Sequence, residues 1–132
     1  MMSSDYSNPS ERKITLLVMF LNICRGLAYM HYNKFVHRDL KPQNVFLKSS
    51  GEVLTKQSGK DQVISEIAKI GDFGTAKQLE DGVKAKTAVG TESFIAPEAL
   101  WEGYEYDFTF DIWSLGVILF EIMTLYKPFS NK

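Results

Sequence analysis

The hydrophobic pattern predicts two long helices. Over residues 11–32, apolar side chains recur every three or four positions, which is the repeat of a helix, and further apolar residues widen that face. We therefore expect this helix to be buried on most sides. Residues 111–125 are apolar all round and are followed by Pro128, so we expect the central helix of a larger core.

Between the helices, the pattern predicts two short strands, at residues 45–47 and 67–70. Residues 48–66 are rich in Ser, Gly, Lys and Gln, which predicts a long exposed connection. Residues 75–92 show no periodicity and are expected to be mobile, and a helical turn is expected at 99–101. The predicted fold class is mainly α with a short β hairpin, in one domain, because 132 residues are too few for two typical ones.

Composition changes this picture little. A hydrophobic content of 45% and a net charge of -1 are ordinary for a soluble protein and give no reason to expect nucleic acid or an anionic membrane as partner. Cys24 is the one cysteine, expected to be a small buried hydrophobe, and the lack of disulfides favours a cytoplasmic, intracellular location. Neither apolar segment reaches about 18 uninterrupted apolar residues, so no membrane insertion is expected.

The candidate chemistry lies in residues 36–47, VHRDLKPQNVFL. Charged and amide groups at this density do not suit a strand interior, where each would need a partner or water. The apolar flanks nevertheless attach the segment to a core, and a polar loop held by buried strands is a common way to present catalytic groups. The candidate residues of this segment, which we call the catalytic loop, are His37, Arg38, Asp39, Lys41 and Asn44.

Three short motifs follow one another in the chain. The catalytic loop fits H-R-D-x-x-x-x-N, residues 72–74 read D-F-G, and residues 96–98 read A-P-E. The chain therefore resembles the C-terminal lobe of a eukaryotic protein kinase over nearly everything from residue 11 to 129. One tripeptide would carry no weight, but three in order, the first extended by Lys41-Pro42-Gln43, make a chance match negligible.

The resemblance implies ATP and Mg²⁺ as cofactors and gives each polar residue a role. Asp39 is the implied base for the substrate hydroxyl, Lys41 lies near the transferred phosphoryl group, and Asp72 with Asn44 would ligate Mg²⁺. If the family resemblance is set aside, the alternative is that Asp39 and Arg38 form a structural ion pair and that Asn44 caps a turn. The implied contacts to ATP are Lys41, Asn44, Phe46 and Asp72.

Further residues are implied to support the site. His37 and Phe73 match the stacked hydrophobic spine of the family, and Asp111 would anchor that spine and the backbone of the catalytic loop. Phe46 matches the floor under the adenine, with a pure core role as the alternative. Glu98 normally pairs with an arginine that this sequence does not reach. The structural and regulatory set is His37, Arg38, Phe73, Gly74, Thr87, Thr91, Glu98 and Asp111.

Two places indicate the substrate class. Lys41-Pro42 and Gly90-Thr91 resemble the serine/threonine kinases, in which the threonine contacts the catalytic aspartate and lysine. The implied partner is a protein with a Ser or Thr hydroxyl. Within the serine/threonine kinases, the sequence is similar to the tyrosine-kinase-like or NIMA-related groups.

Arg38, before the catalytic aspartate, is typical of kinases regulated by phosphorylation of the activation segment, residues 72–98. Thr87, four residues before Thr91, is the favoured acceptor, with an unmodified exposed threonine as the alternative. We expect Thr87→Ala in the full-length parent to lower kinase activity, because no phosphate would recruit Arg38 and order the segment. Kinase assays and a measure of segment order check this, and unchanged values in both would contradict it.

The chain also departs from the family. We find no G-x-G-x-x-G and no strand lysine before the catalytic loop. We therefore expect a C-lobe truncated at both ends, in which the N-lobe and the last helices are absent. Such a chain should be inactive and poorly folded alone, and its activity should require an upstream N-lobe. Asn44 and Asp72 lie 28 positions apart, which predicts an inserted loop at 48–66, inert rather than partner-binding. The alternative functions are a pseudokinase-like binding module and, more remotely, a small-molecule phosphotransferase.

Overall fold

The structure, a computed structural model, describes residues 9–55, 62–79, 90–101, 103, 105 and 107–129. Over these residues the chain forms two α-helices, four strands and several single 3-10 turns. The helices are α1 (Pro9–Tyr32) and α2 (Thr109–Thr124). The strands are β1 (Phe35–Val36), β2 (Val45–Thr55), β3 (Gln62–Ile70) and β4 (Lys77–Gln78).

Both predicted helices are confirmed, and local chemistry sets the ends of α2. At its start, the Thr109 backbone N–H donates to Asp107 Oδ1 over 2.8 Å, which satisfies one of the unpaired amides of the first turn. At its end, Leu125 takes a left-handed conformation, with φ of 61°, and its N–H donates to Glu121 O over 2.8 Å. The 3-10 turn at Pro97–Leu100 largely matches the predicted helical turn.

Strands β2 and β3 form an antiparallel hairpin that is longer than predicted. The pairing runs from Val45↔Ile70 to Thr55↔Gln62, with an irregularity between Ser49 and Val53. The prediction of a connection without strand structure was therefore wrong for residues 48–55 and 62–66, while Lys48 and Ser49 are exposed as predicted and 56–61 lie outside the described residues. Strand pairing uses backbone N–H and C=O groups, which Ser, Gly and Lys side chains do not prevent, so composition alone was misleading.

A second, two-stranded sheet joins the entrance of the catalytic loop to the segment after D-F-G. Here β1 pairs with β4 in antiparallel register, Phe35 opposite Gln78 and Val36 opposite Lys77. The sequence pattern predicted no strand within residues 75–92, and the pairing of 77–78 with β1 is a contact that the local sequence does not indicate. Residues 80–89 lie outside the described part of the chain.

Two buried apolar clusters hold the catalytic loop between them. The first joins α1, α2 and the loop through Leu40, which is fully buried. The second holds the start of the loop through Val36, also fully buried, against Phe110 of α2. The other members of the first cluster are Ile23, Leu27, Ala68, Phe94, Val117 and Ile118, and those of the second are Leu79, Ala96 and Ala99. The loop is therefore anchored on both sides of its polar residues.

One face of α1 is open, contrary to the prediction that the helix is buried on most sides. Ile14 is 62% exposed, and Leu17, Val18 and Leu21 are about half-exposed. By length and composition alone, Arg12–Tyr32 is also long and apolar enough to cross a bilayer, against the sequence-based expectation. The core helix of a soluble protein passes the same test, so this finding does not by itself place the chain in a membrane.

A groove of about 520 Å³ runs along α2. Trp113 stacks on Phe129 there, with ring centroids 5.8 Å apart, and within the described residues its buried indole N–H has no hydrogen-bond acceptor. The groove agrees with the expectation that α2 belongs to a larger core. Its lining is Glu98, Thr109, Ile112, Trp113, Gly116, Val117, Phe120, Pro128 and Phe129.

Candidate active site

Asp111, in the first turn of α2, holds the backbone of the catalytic loop. Its fully buried carboxylate accepts the His37 N–H on Oδ2 over 2.8 Å and the Arg38 N–H on Oδ1 over 2.9 Å. Nε2 of His31, in the last turn of α1, lies 2.8 Å from the same Oδ2. Three donors thus meet one buried carboxylate, as a buried charge requires.

Arg38 has a left-handed backbone, with φ of 71°, which is disfavoured for a residue with a side chain. Several contacts maintain it. Its Nε donates to the Thr75 carbonyl, and Thr75 Oγ1 donates to the neighbouring His37 carbonyl over 3.0 Å. Gly90, with φ of 141°, packs so closely that a Cβ there would lie 2.7 Å from the Arg38 carbonyl oxygen, so this position requires glycine.

His37 connects the catalytic loop to the D-F-G segment. Its fully buried ring places Nε2 3.0 Å from the Gly71 carbonyl, and Nδ1 lies 3.4 Å from the Asp39 N–H. A carbonyl can only accept and an amide N–H only donates, so the neutral tautomer with hydrogen on Nε2 satisfies both contacts. The His37 ring also packs against Phe73, with centroids 5.8 Å apart at 59°.

Asp39 lies at the centre of a network of hydrogen bonds. Lys41 Nζ is 2.7 Å from Asp39 Oδ2, Thr91 Oγ1 donates to Oδ1 over 2.8 Å, and Lys41 Nζ also donates to Thr91 Oγ1 over 2.8 Å. Asn44 Nδ2 donates to the Asp39 carbonyl over 2.8 Å and lies 3.3 Å from its Oδ2. Asp39 is thus ion-paired with Lys41, and Asn44 does close the turn that the alternative interpretation assigned to it.

This network determines the charge of Asp39. Burial raises the pKa of the Asp39 carboxyl. Hydrogen bonds from Lys41, Thr91 and Asn44, together with the Lys41 charge, lower the pKa by more than burial raises it, so the pKa of Asp39 lies below its ordinary value. The carboxylate is therefore ionised at neutral pH and can only accept hydrogen bonds.

Asn44 and Asp72 lie at the adjoining ends of β2 and β3, where the Gly71 N–H donates to the Asn44 carbonyl over 2.9 Å. Asn44 is buried and uses Nδ2 on Asp39, which leaves its amide oxygen as a possible cation ligand. Asp72 is exposed and has a left-handed backbone. Both are hard oxygen donors that fit Mg²⁺, and its other ligands would come from phosphates or water, because no cluster of three metal-binding side chains occurs among the described residues.

Phe46 lies beside this edge and is 56% exposed. A Cβ on Gly71 would lie 2.6 Å from its ring, so glycine is what permits this approach. A pure core role would require a buried ring, and the described fold leaves one face open. The surface available is flat and apolar.

The other predicted residues are distributed around the site. Gly74 follows Phe73 in a 3-10 turn, and Glu98 lies apart, half-buried in the groove along α2. Thr87 lies outside the described residues. Sequence reasoning missed the structural contributions of four residues, whose partners in the site lie 25 to 80 positions away and leave no periodic signal: His31, Gly71, Thr75 and Gly90.

Comparison with known proteins agrees with this geometry. Residues 5–132 match the protein kinase domain family. The chain is 44% identical over 117 residues to putative serine/threonine-protein kinase B of Trypanosoma brucei brucei, covering 86% of this chain and 23% of that protein. It is 39% identical over 118 residues to serine/threonine-protein kinase Nek5 of Mus musculus, covering 89% of this chain and 16% of that protein.

A further relative is inhibitor of nuclear factor kappa-B kinase subunit beta of Bos taurus, 38% identical over 118 residues, 89% of this chain and 14% of that protein. The chain therefore spans less than a quarter of the length of these relatives. The relatives are serine/threonine kinases and include the Nek group, in agreement with the NIMA-related resemblance. The family match covers almost the whole sequence, so the chain belongs to the protein kinase domain family.

Proposed function

We propose that this chain carries the catalytic loop of an ATP-dependent protein serine/threonine kinase. The observation that supports this most directly is the joint arrangement of Asp39, Lys41 and Thr91, each within 2.8 Å of another although Thr91 is 52 positions from Asp39. A part-buried ion pair with no catalytic role would not need a threonine hydroxyl bound to both partners.

In this proposal, Asp39 acts on the substrate hydroxyl. Its ionised carboxylate orients the hydroxyl and accepts its proton as the oxygen attacks the γ-phosphorus and the bond to the ADP oxygen breaks. The Lys41 ammonium stabilises the negative charge that develops on the transferred group. Asp72 and the Asn44 amide oxygen would hold Mg²⁺, which when bound neutralises phosphate charge.

Two features support the finer assignments. Thr91 bridges Asp39 and Lys41, as expected of the serine/threonine class, so we assign protein Ser and Thr hydroxyls as the substrate. The exposed Phe46 ring beside Gly71 offers an apolar surface on which an adenine could pack. The completeness of the network argues against the alternative of a pseudokinase-like binding module.

The described residues supply only part of a nucleotide site, so we expect chain 1–132 alone to show no measurable phosphotransfer. Among the described residues, none forms a glycine-rich loop or supplies a second lysine that would cover ATP, and apolar side chains on α1 and α2 are open to water. A chimera in which this chain replaces the matching residues of the Trypanosoma brucei brucei kinase B supplies the missing parts. That chimera should transfer phosphate from ATP-Mg²⁺ to Ser/Thr peptides, as measured with radiolabelled ATP.

The control is the same chimera carrying Asp39→Asn. A folded wild-type chimera with activity no higher than this control would contradict the proposal, whereas phosphotransfer by the isolated chain would contradict only the expectation that it is inactive alone. Phosphorylation of tyrosine peptides in preference to Ser/Thr peptides would contradict the substrate assignment alone.

A further inference from the structure

We propose that His31 is a positioning residue for the catalytic loop. It lies outside the H-R-D-x-x-x-x-N segment and acts through Asp111, whose carboxylate it orients toward the loop backbone. The consequence for catalysis rests on the proposed function, whereas the consequence for the loop backbone does not.

The geometry of His31 is that of a fixed hydrogen-bond donor. Its Nε2 lies 2.8 Å from Asp111 Oδ2, and only 16% of its side chain is exposed. An ionised carboxylate can only accept, so Nε2 carries the hydrogen. The ring also packs against Phe108, with centroids 4.9 Å apart at 47°, which limits its rotation.

The carboxylate that His31 contacts must meet two backbone amides at once. Oδ2 accepts from His37 and Oδ1 from Arg38, so the plane of the carboxylate is defined by both. Rotation of the Asp111 side chain would lengthen at least one of these bonds. The His31 donor, arriving on Oδ2 from another element, opposes that rotation.

The loop is sensitive to this orientation because Arg38 has a strained backbone. A left-handed non-glycine residue persists only where surrounding contacts determine it. Asp39 is the next residue, so a change at Arg38 moves the carboxylate that Lys41 and Thr91 surround. Through this route His31 affects Asp39 without touching substrate.

Two substitutions distinguish the effect of losing the His31 N–H donor from the effect of losing the His31 ring. In the full-length protein that carries this chain, His31→Phe keeps a ring against Phe108 and removes the donor, whereas His31→Gln keeps an N–H donor at a similar reach. His31→Asn is a second loss variant, because its amide is too short to reach Asp111. Tyr32→Phe, at an adjacent residue that is 84% exposed, is the control.

The first readout is amide hydrogen exchange by NMR. We expect exchange of the His37 and Arg38 amides to accelerate by about tenfold or more in His31→Phe and His31→Asn, since a hydrogen bond to a charged group is lost, and to stay near wild type in His31→Gln and Tyr32→Phe. The amides of Ile23 and Leu27 in α1 should be unchanged in all four.

The second readout is steady-state kinetics. We expect kcat to fall about tenfold in the two loss variants, with KM for ATP changed less than about twofold, and to recover in His31→Gln.

Unchanged exchange at His37 and Arg38 in the loss variants overturns the inference. Equal acceleration in His31→Gln and His31→Phe also overturns it, because the ring and not the donor would then matter. Should the wild-type protein prove folded but inactive, the proposed function fails while the exchange comparison still decides the role of His31.

Discussion

Asp39→Asn in the full-length protein should lower kcat by about 10²–10⁴-fold, the contribution typical of a positioned general base. The Asn side chain nearly matches Asp in shape, and its one amide oxygen can keep the hydrogen bond from either Lys41 or Thr91, but an amide oxygen does not take up a proton at neutral pH. KM for ATP should change little, because the proposed role of Asp39 is at the substrate hydroxyl and not at the nucleotide. Steady-state phosphotransfer to a Ser/Thr peptide measures both constants.

The matched control is Asp107→Asn. Asp107 accepts the Thr109 N–H at the start of α2, and Asn serves equally well there. This substitution removes one negative charge without touching the network around Asp39, so its kcat should stay near wild type. A loss of kcat below about tenfold in Asp39→Asn would contradict the role of Asp39 as base.

Asp111→Ala should lower the free energy of unfolding of the full-length protein by about 3–5 kcal/mol, the cost of removing one partner from a buried charged contact. The His37 and Arg38 amides and the His31 Nε2 hydrogen would be left without their acceptor in a site that excludes water. Domains retain only about 5–15 kcal/mol of net stability, so this loss would consume much of the margin. Denaturant unfolding followed by circular dichroism measures it.

Asp107→Ala is the comparison here, because it removes a half-buried aspartate that accepts hydrogen bonds at the start of the same helix. Its loss should be about 0.5–2 kcal/mol, the usual value for a helix cap. Equal losses for Asp107→Ala and Asp111→Ala would contradict the assignment of Asp111 as the buried acceptor that holds the catalytic loop.

The fold was predictable where the chain carries a local repeat. Three- and four-residue spacing of apolar residues located α1, and an unbroken apolar run located α2. The hairpin began and ended at the predicted strands, but its extension through 48–55 and 62–66 was missed, because backbone pairing with a partner strand overrode a composition typical of loops. The exposure of Ile14 on α1 was missed too, because periodicity identifies an apolar face without indicating whether anything covers it.

The candidate site was predictable only as a set of residues. Order and spacing picked out Asp39, Lys41 and Asn44 within one loop, and a resemblance added Thr91 and Asp72. The contacts of His31 with Asp111 and of Thr75 with His37 span 80 and 38 positions, and no pattern in the chain indicates them. The requirement for glycine at position 90 is evident only in the structure, where the Gly90 backbone packs against the Arg38 carbonyl.

By itself, the sequence determined the two helices, the polar loop between apolar flanks and the kinds of chemistry that the loop offers. These depend on side-chain type and short spacing, which act over a few residues of the same chain. The tertiary structure alone decided the ionised, Lys41-paired state of Asp39, the acceptor that holds the loop backbone, and the surfaces left open on α1 and α2. Those properties depend on charges, amides and apolar atoms that meet only after distant segments have packed together.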